Sequence, residues 1–509
     1  MVTFIVSLIL LILGYFVYGK FVEHIFGADF ARKTPCYAQE DGIDYIPMPT
    51  WKVYLIQFLN IAGTGPIFGA IQGILFGPAA YFWIILGCIF GGAVHDYMSG
   101  MMSLRRGGES LPEMVGSELG RPAKVVMLIF AMVLMVLVGA VFTKTPAGLL
   151  ASICTPETIA DAAATVGSAT ATEPSIFASA QFWVFIILAY YVLATLLPID
   201  KLIGRIYPLF GLALLIMAIG LFFGIFFSDG SIPEITEAFS NHHPHADTVP
   251  LFPCLCITIA CGAVSGFHAT QSPMMARCLK NEKYGRGVFY GAMITEGIVA
   301  LIWASASIKF ADSLNVAGNT PYEKLLTAMT EPNGSINPAI IVNNICHSWL
   351  GSVGGVLAIL GVVAAPITTG DTAFRSARLI AADFLKIKQD KIIKRILLCL
   401  PIFMISIVLI FVDFAVLWRY FAWFNQTLSV FTFWAITVYL AKLGKPYIIT
   451  LIPGMFMTCV CSTYILVAPE GFQLPTLVAD LGGLAITLVA LAGFIFWLRM
   501  YRKHPQLMK

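Results

Sequence analysis

Two polar, glycine-marked interruptions fall in very apolar sequence about 200 residues apart. The first is Asn60-Ile61-Ala62-Gly63-Thr64-Gly65-Pro66. The second is Gly262-Ala263-Val264-Ser265-Gly266-Phe267-His268-Ala269-Thr270-Gln271. Each lies in an uncharged stretch: 43 residues between Lys52 and Asp96, and 29 between Asp247 and Arg277, counting no histidine as charged. Glycine and proline disrupt helical hydrogen bonding, so amides and carbonyls there are free to face a ligand. The N-terminus of a half-helix favours an anionic group such as a carboxylate. One such break is explained equally well as a packing kink. Two, in corresponding halves and rich in polar side chains, are the pattern of a secondary-transporter substrate site. The candidate binding residues are Asn60, Gly63, Thr64, Gly65, Ser265, Gly266, His268 and Gln271.

Ionisable residues inside apolar segments are functional candidates by default. Asp371, following Thr368-Thr369-Gly370, offers hard oxygen ligands for a small cation or a proton; an inner-end cap is the alternative. His95-Asp96 places a carboxylate beside an imidazole, fit for proton relay or for anchoring at the inner interface. Glu296 lies mid-span and must face the bundle or a wet cavity, because exposure to lipid costs at least about 2.5 kcal/mol. Asp371 ranks first for coupling, then Asp96, then Glu296. Asn425 and Gln426 lie deep enough to need partners. His242, His243 and His245 are expected in a solvated loop.

These residues need a membrane scaffold. The chain has 509 residues, 58% hydrophobic and 12% charged, against about 25% charged in soluble domains. Thirteen segments are long enough to span: 2–19, 53–76, 79–103, 125–143, 181–197, 206–228, 251–275, 288–308, 352–374, 396–412, 416–441, 447–467 and 477–498. The first reads as a retained span. Residues 335–350 read as a surface or re-entrant helix. With loop 20–52 cytoplasmic, 27 of the 31 Lys and Arg residues fall on the inner side, as the positive-inside rule requires. The N-terminus is then outside and the C-terminus cytoplasmic.

Five spans run from the first break up to the second, and five is odd, so the second break enters from the opposite face. The expected architecture is an all-α membrane protein of about 13 transmembrane helices with a 5+5 inverted repeat. Residues 1–52 hold the first helix and its loop, 53–228 the first repeat, 251–441 the second, and 442–509 two C-terminal helices and the tail. No GxxxxGK[ST], HExxH or GxSxG pattern occurs, so neither a primary pump nor an enzyme is expected, and no cofactor. The net charge of +3 is dispersed among loops and implies no nucleic-acid partner. The 11 cysteines contain no CxxC pair, so no metal site is expected either.

Several stretches resemble the carbon-starvation protein family of bacterial transporters: 14–20, 41–52, Ile67-Phe68-Gly69 after the first break, 95–100, 265–272, 370–378 and Trp418-Arg419-Tyr420-Phe421. The likeness runs from residue 14 to about 430. Pro273-Met274-Met275 depart from the pattern. The resemblance implies inner-membrane uptake of small carbon and nitrogen sources during starvation, with peptides and pyruvate as substrates and protons coupled to the latter. It also implies kinship with LeuT-like, APC-type five-plus-five transporters. In that architecture 53–76 and 251–275 are the broken core helices, and Thr368 and Thr369 lie where sodium-coupled relatives hold their ion. The expectation is a proton symporter for a small carboxylate-bearing nutrient, pyruvate or a short peptide, embedded in membrane lipid; a sodium-coupled amino-acid or peptide symporter and a channel are the alternatives.

Overall fold

A computed structural model describes residues 1–154, 176–196, 203–237, 240–331, 334, 336–389, 391–412 and 414–503. Most of the basic-free outer loop 145–180, and Lys201 and Lys509 of the charge count, lie outside the described residues. Among the described residues the fold is helical and contains no β-strand.

The helices that position the site are α1 (Val2–Phe26), α2 (Thr50–Ile61), α3 (Gly65–Gly73), α4 (Ala79–Arg105), α5 (Arg121–Ile153), α6 (Ala180–Leu196) and α7 (Ile203–Phe227). They continue with α8 (Leu251–Thr258), α9 (Gly266–Ala276), α10 (Glu282–Ser313), α11 (Pro338–Ala358), α12 (Ala364–Leu385), α13 (Ile392–Ile410), α14 (Phe414–Lys442), α15 (Ile448–Val467) and α16 (Thr476–Lys503). Eight helices among the described residues are long and apolar enough to cross a membrane, and α2 with α3, bent by 45°, makes a ninth. The expected segment 251–275 is divided by its break into helices of 8 and 11 residues. The segment 335–350 is joined to the next expected span: α11 runs through it, kinked at Gly351, and continues by a π-helical turn into α12.

Burial sorts these helices. In the most apolar stretch of α4, 83% of residues are buried, and in α10, 78%; the figure for α16 is 17%. So α4 and α10 are walls of the core, whereas α16 turns large apolar side chains such as Val489 and Phe496 outward, as a lipid-facing helix does.

Among the described residues the Lys and Arg ion pairs each join segments that the charge bias puts on one side of the membrane. Arg105 and Arg32 meet Glu282, Arg286 meets Glu23, Lys442 and Arg106 meet Glu118, and Arg378 meets Asp44. Every one of these residues belongs to a segment that the charge bias puts on the inner side. Arg419 pairs with Glu470 and Ser231 donates to Asp312, all on outer segments.

Candidate functional site

The first break ends α2 and starts α3 within three residues. Ala62 closes α2 by donating to the Phe58 carbonyl at 2.7 Å. Thr64 precedes α3, and Pro66 lies in its first turn, where a missing N–H costs nothing. The first intrahelical bond runs from Phe68 N to Thr64 O, so the amides of Gly65 and Ile67 lie at the positive end of the half-helix. Three polar atoms here are buried without a hydrogen bond: Asn60 Nδ2, Asn60 Oδ1 and Thr64 Oγ1. Leaving a buried polar group unpaired costs about 1–3 kcal/mol.

The second break is built differently. Gly262 takes φ +92°, which a residue with a Cβ adopts only under strain. Ser265 is extended and precedes α9. Asn425 of α14 reaches in: its Oδ1 accepts from Ser265 Oγ at 3.1 Å and from Phe267 N at 2.7 Å. It therefore caps α9 from another helix. Gln426 donates to the Cys256 carbonyl at 2.8 Å, satisfying the end of α8. Gln271 donates to Thr270 Oγ1 at 3.1 Å and accepts from Ser376 at 3.3 Å.

Glycines bring the two breaks into contact. An added Cβ at Gly65 would lie 2.4 Å from Cys261 Sγ, one at Gly69 2.8 Å from the Thr258 carbonyl, and one at Gly73 2.2 Å from Ile259. The glycine face of α3, one residue per turn, thus lies directly on 258–261. Gly65 serves this crossing. Gly266 is equally confined, 2.3 Å from the Asn425 carbonyl by the same measure.

Four ionisable residues expected at separate places form one buried chain. Asp96 Oδ1 is 2.8 Å from His95 Nδ1, and its Oδ2 is 2.8 Å from His268 Nδ1. His268 Nε2 is 3.5 Å from Glu296 Oε2. All four are fully buried. The chain links α4, α9 and α10, and places His268 of the expected binding set beside Asp96 and Glu296 of the expected coupling set.

Asp371 is not part of that chain. It accepts a hydrogen bond from the Tyr207 hydroxyl, and Tyr207 is 3.3 Å from Tyr190. A carboxylate only accepts, so the Tyr207 proton points at Asp371 and its oxygen accepts from Tyr190. The other Asp371 oxygen makes no hydrogen bond. Two residues earlier, Thr369 Oγ1 lies 2.9 Å from the Ala365 carbonyl and 3.2 Å from the Leu59 carbonyl at the end of α2. Thr368 Oγ1 turns back to Ala365 O at 2.8 Å. A Cβ at Gly63 would lie 2.9 Å from Thr369 Oγ1, so α12 lies close against the first break.

Beneath this, on the loop before α2, Asp44 accepts from Arg375 Nη1 at 3.4 Å and Arg378 Nη2 at 3.2 Å. Arg375 also donates to the Ala194 carbonyl at 2.6 Å. Burial pushes the Asp44 carboxyl up, but the guanidinia of Arg378, Arg375, Arg277 and Arg395 outweigh it and hold it below the usual carboxylate range.

The family model described as "Carbon starvation protein CstA" matches residues 1–173 and 159–339. The chain belongs to this family. Among similar proteins, an uncharacterized membrane protein of Haemophilus influenzae is 46% identical over 341 residues, 62% of this chain and 92% of that protein. The peptide transporter CstA of Campylobacter jejuni is 30% identical over 334 residues, 57% of this chain and 47% of its own. The pyruvate/proton symporter BtsT of Escherichia coli is 28% identical over 386 residues, 66% of this chain and 53% of its own. The matches to these two named transporters thus span about half of each. Among solved structures, MhsT in complex with L-phenylalanine is similar with a TM-score of 0.53 at 14% identity, covering 86% of this chain and 97% of that one. The carbon-starvation chain shares its helical fold.

Proposed function

We propose that the protein is a secondary active symporter that imports a small carboxylate-bearing nutrient, pyruvate or a short peptide, into the cell across the bacterial inner membrane during carbon starvation. The observation that carries this reading is the unpartnered Asn60 amide and Thr64 hydroxyl at the positive end of α3. A carboxylate held there takes hydrogen bonds from Asn60, Thr64 and the free amides of Gly65 and Ile67. The printed functions of the two named relatives, peptide transport and pyruvate/proton symport, agree with such a substrate. Gln271 faces the same α12 from α9 and closes the site from the second break.

Coupling is assigned to Asp371. Its free oxygen can take a proton, and the Tyr190–Tyr207 hydroxyls lead from a half-buried position to it. Thr369 connects that event to the Leu59 carbonyl, and so to the first break. The charged groups facing Asp371 are Arg375 and Arg378 on its own helix; Tyr207 of α7 and Tyr190 and Tyr191 of α6 are the titratable ones. Sodium is the second reading, favoured by the Thr369 hydroxyl and the Leu59 and Ala365 carbonyls, three oxygens of the kind a hard cation takes. Thirteen spans in a five-plus-five inverted repeat, with the N-terminus outside, complete the reading. The sidedness of the ion pairs supports it, since a missed span would force such pairs across a bilayer of about 30 Å.

The decisive test is uptake into proteoliposomes with pyruvate, lactate, amino acids and dipeptides, under a proton gradient, a sodium gradient or neither. Accumulation under no gradient condition would sink the symporter reading. Topology is checked by cysteine labelling: a cysteine at Ser231 should react from outside, and one at Gln389 only after the membrane is opened.

A further inference from the structure

His268 presents one nitrogen to Asp96 and leaves the other unused. The Asp96 carboxylate accepts from Nδ1 at 2.8 Å, which fixes the proton there and leaves the Nε2 lone pair available. Nε2 makes no hydrogen bond, and neither do the two Glu296 oxygens. All are fully buried. Cys261 Sγ completes the group: the thiol sulfur, the free imidazole nitrogen and a Glu296 oxygen lie within 4.8 Å of one another.

A carboxylate behind one imidazole nitrogen, orienting the other, is how proteins present a histidine to a metal ion. Bond lengths of about 2.0–2.3 Å put the ligand atoms of a tetrahedral centre roughly 3.3–3.7 Å apart. His268 Nε2 and Glu296 Oε2 already stand at 3.5 Å, and the sulfur, within 4.8 Å of both, needs a shift of no more than about 1.5 Å to join them. Charge closes as well. A thiolate and a carboxylate neutralise a dication, while Asp96 keeps His95 as its other partner. Sulfur with imidazole selects zinc-like ions over magnesium or calcium. The ligands are seven and 28 positions apart in sequence, so local cysteine spacing gives no sign of them.

We propose that Cys261, His268 and Glu296 form a binding site for one divalent transition-metal ion of the zinc class, oriented by Asp96. The ligands come from the second break, α9 and α10. A bound ion therefore staples the break to both half-helix and wall, and under the transport reading it arrests the carrier.

The test uses the full-length protein in detergent or nanodiscs, titrated with Co2+ as an optical stand-in for zinc. The wild type should develop a thiolate-to-cobalt absorption band that saturates near about one equivalent. Cys261→Ser should lose the band. Glu296→Gln, accepted only if its gel-filtration profile matches the wild type, should keep the band but need about tenfold more Co2+. No band in folded wild type, an unchanged band in Cys261→Ser, or unchanged Co2+ affinity in Glu296→Gln each overturns the site. Zinc should also slow uptake by wild type and spare Cys261→Ser, and equal uptake with and without saturating zinc in wild type would overturn the staple. That last readout rests on the transport reading. The spectrum does not, so the two failures are told apart.

Discussion

The two breaks carry the same kind of residues and spend them in opposite ways. At the first, Asn60 and Thr64 point polar atoms at nothing in the protein. At the second, Asn425 takes up both Ser265 and the Phe267 amide in the first turn of α9, and Asp96 holds His268. A polar group left unpaired in the interior is a standing cost of about 1–3 kcal/mol, and an occupant able to satisfy it removes that cost. Under the proposed function the first break receives the substrate, whereas at the second the start of α9 is held by Asn425 and the unpaired groups are His268 Nε2 and the Glu296 oxygens. Proximity does not make the two breaks equivalent halves of one binding site.

The sharpest way to break this contrast is at Asp371, on the side of the first break. Asp371→Asn should abolish concentrative uptake, while exchange of preloaded substrate stays within about twofold of wild type. A proton-coupled carrier needs the first and not the second. Normal accumulation by this variant would remove Asp371 from coupling and move attention to sodium at Thr369. Next comes Asn425→Ala, which strips the cap from α9 and orphans Phe267 N. It should cost about 2 kcal/mol, read as a lower unfolding temperature of the purified protein. A wild-type melting curve would mean the second break is not held by that side chain.

Asn60→Ala makes the complementary prediction. It removes a group with no protein partner, so stability should hold or rise slightly. Substrate affinity should fall by about tenfold, equivalent to about 1.4 kcal/mol. If Asn60→Ala destabilises and Asn425→Ala weakens substrate binding instead, the roles of the two breaks are reversed. The smallest effect concerns Asp44. Its folded pKa lies below the unfolded value of about 3.9, so its stabilisation is present above that value and is lost as pH falls through the lower, folded one. The wild-type unfolding temperature should therefore decline on acidification below about pH 4, and Asp44→Asn should be less stable at neutral pH with a flatter profile. Parallel profiles would show that the arginine cluster does not depend on this carboxylate.

Much of this was legible in the sequence for a definite reason. Glycine, proline and asparagine inside uncharged runs betray a broken helix locally, and both breaks lie where those residues put them. What joins Asp96 to His268 is not local: the two are separated by 172 positions, and no spacing rule relates helices that meet only through packing. Tyr207 and Tyr190 do not announce themselves as partners of Asp371, because a tyrosine in an apolar helix reads as an interfacial anchor. Their depth beside a lone carboxylate was the usable signal. Asn425 reads in the sequence as a buried amide in need of a partner, but a sequence does not say which helix end it caps. Gly65 reads in the sequence as part of the break alone; its place with Gly69 and Gly73 on one close-packing face is legible only once the segment they lean on is in view.

That glycine face also makes the meeting of α3 with 258–261 a bearing rather than a gear. Interdigitated side chains on both partners would have to climb over one another to shift, whereas here only 258–261 contributes side chains, Cys261 and Ile259 resting on bare glycines, so few rotamers need rearranging. A single methyl at Gly69 or Gly73 then works as a wedge. It is too small to alter polarity, yet large enough to jam the surface in whichever arrangement first accommodates it, which makes alanine at these positions a tool for trapping one state if the protein works by the proposed transport.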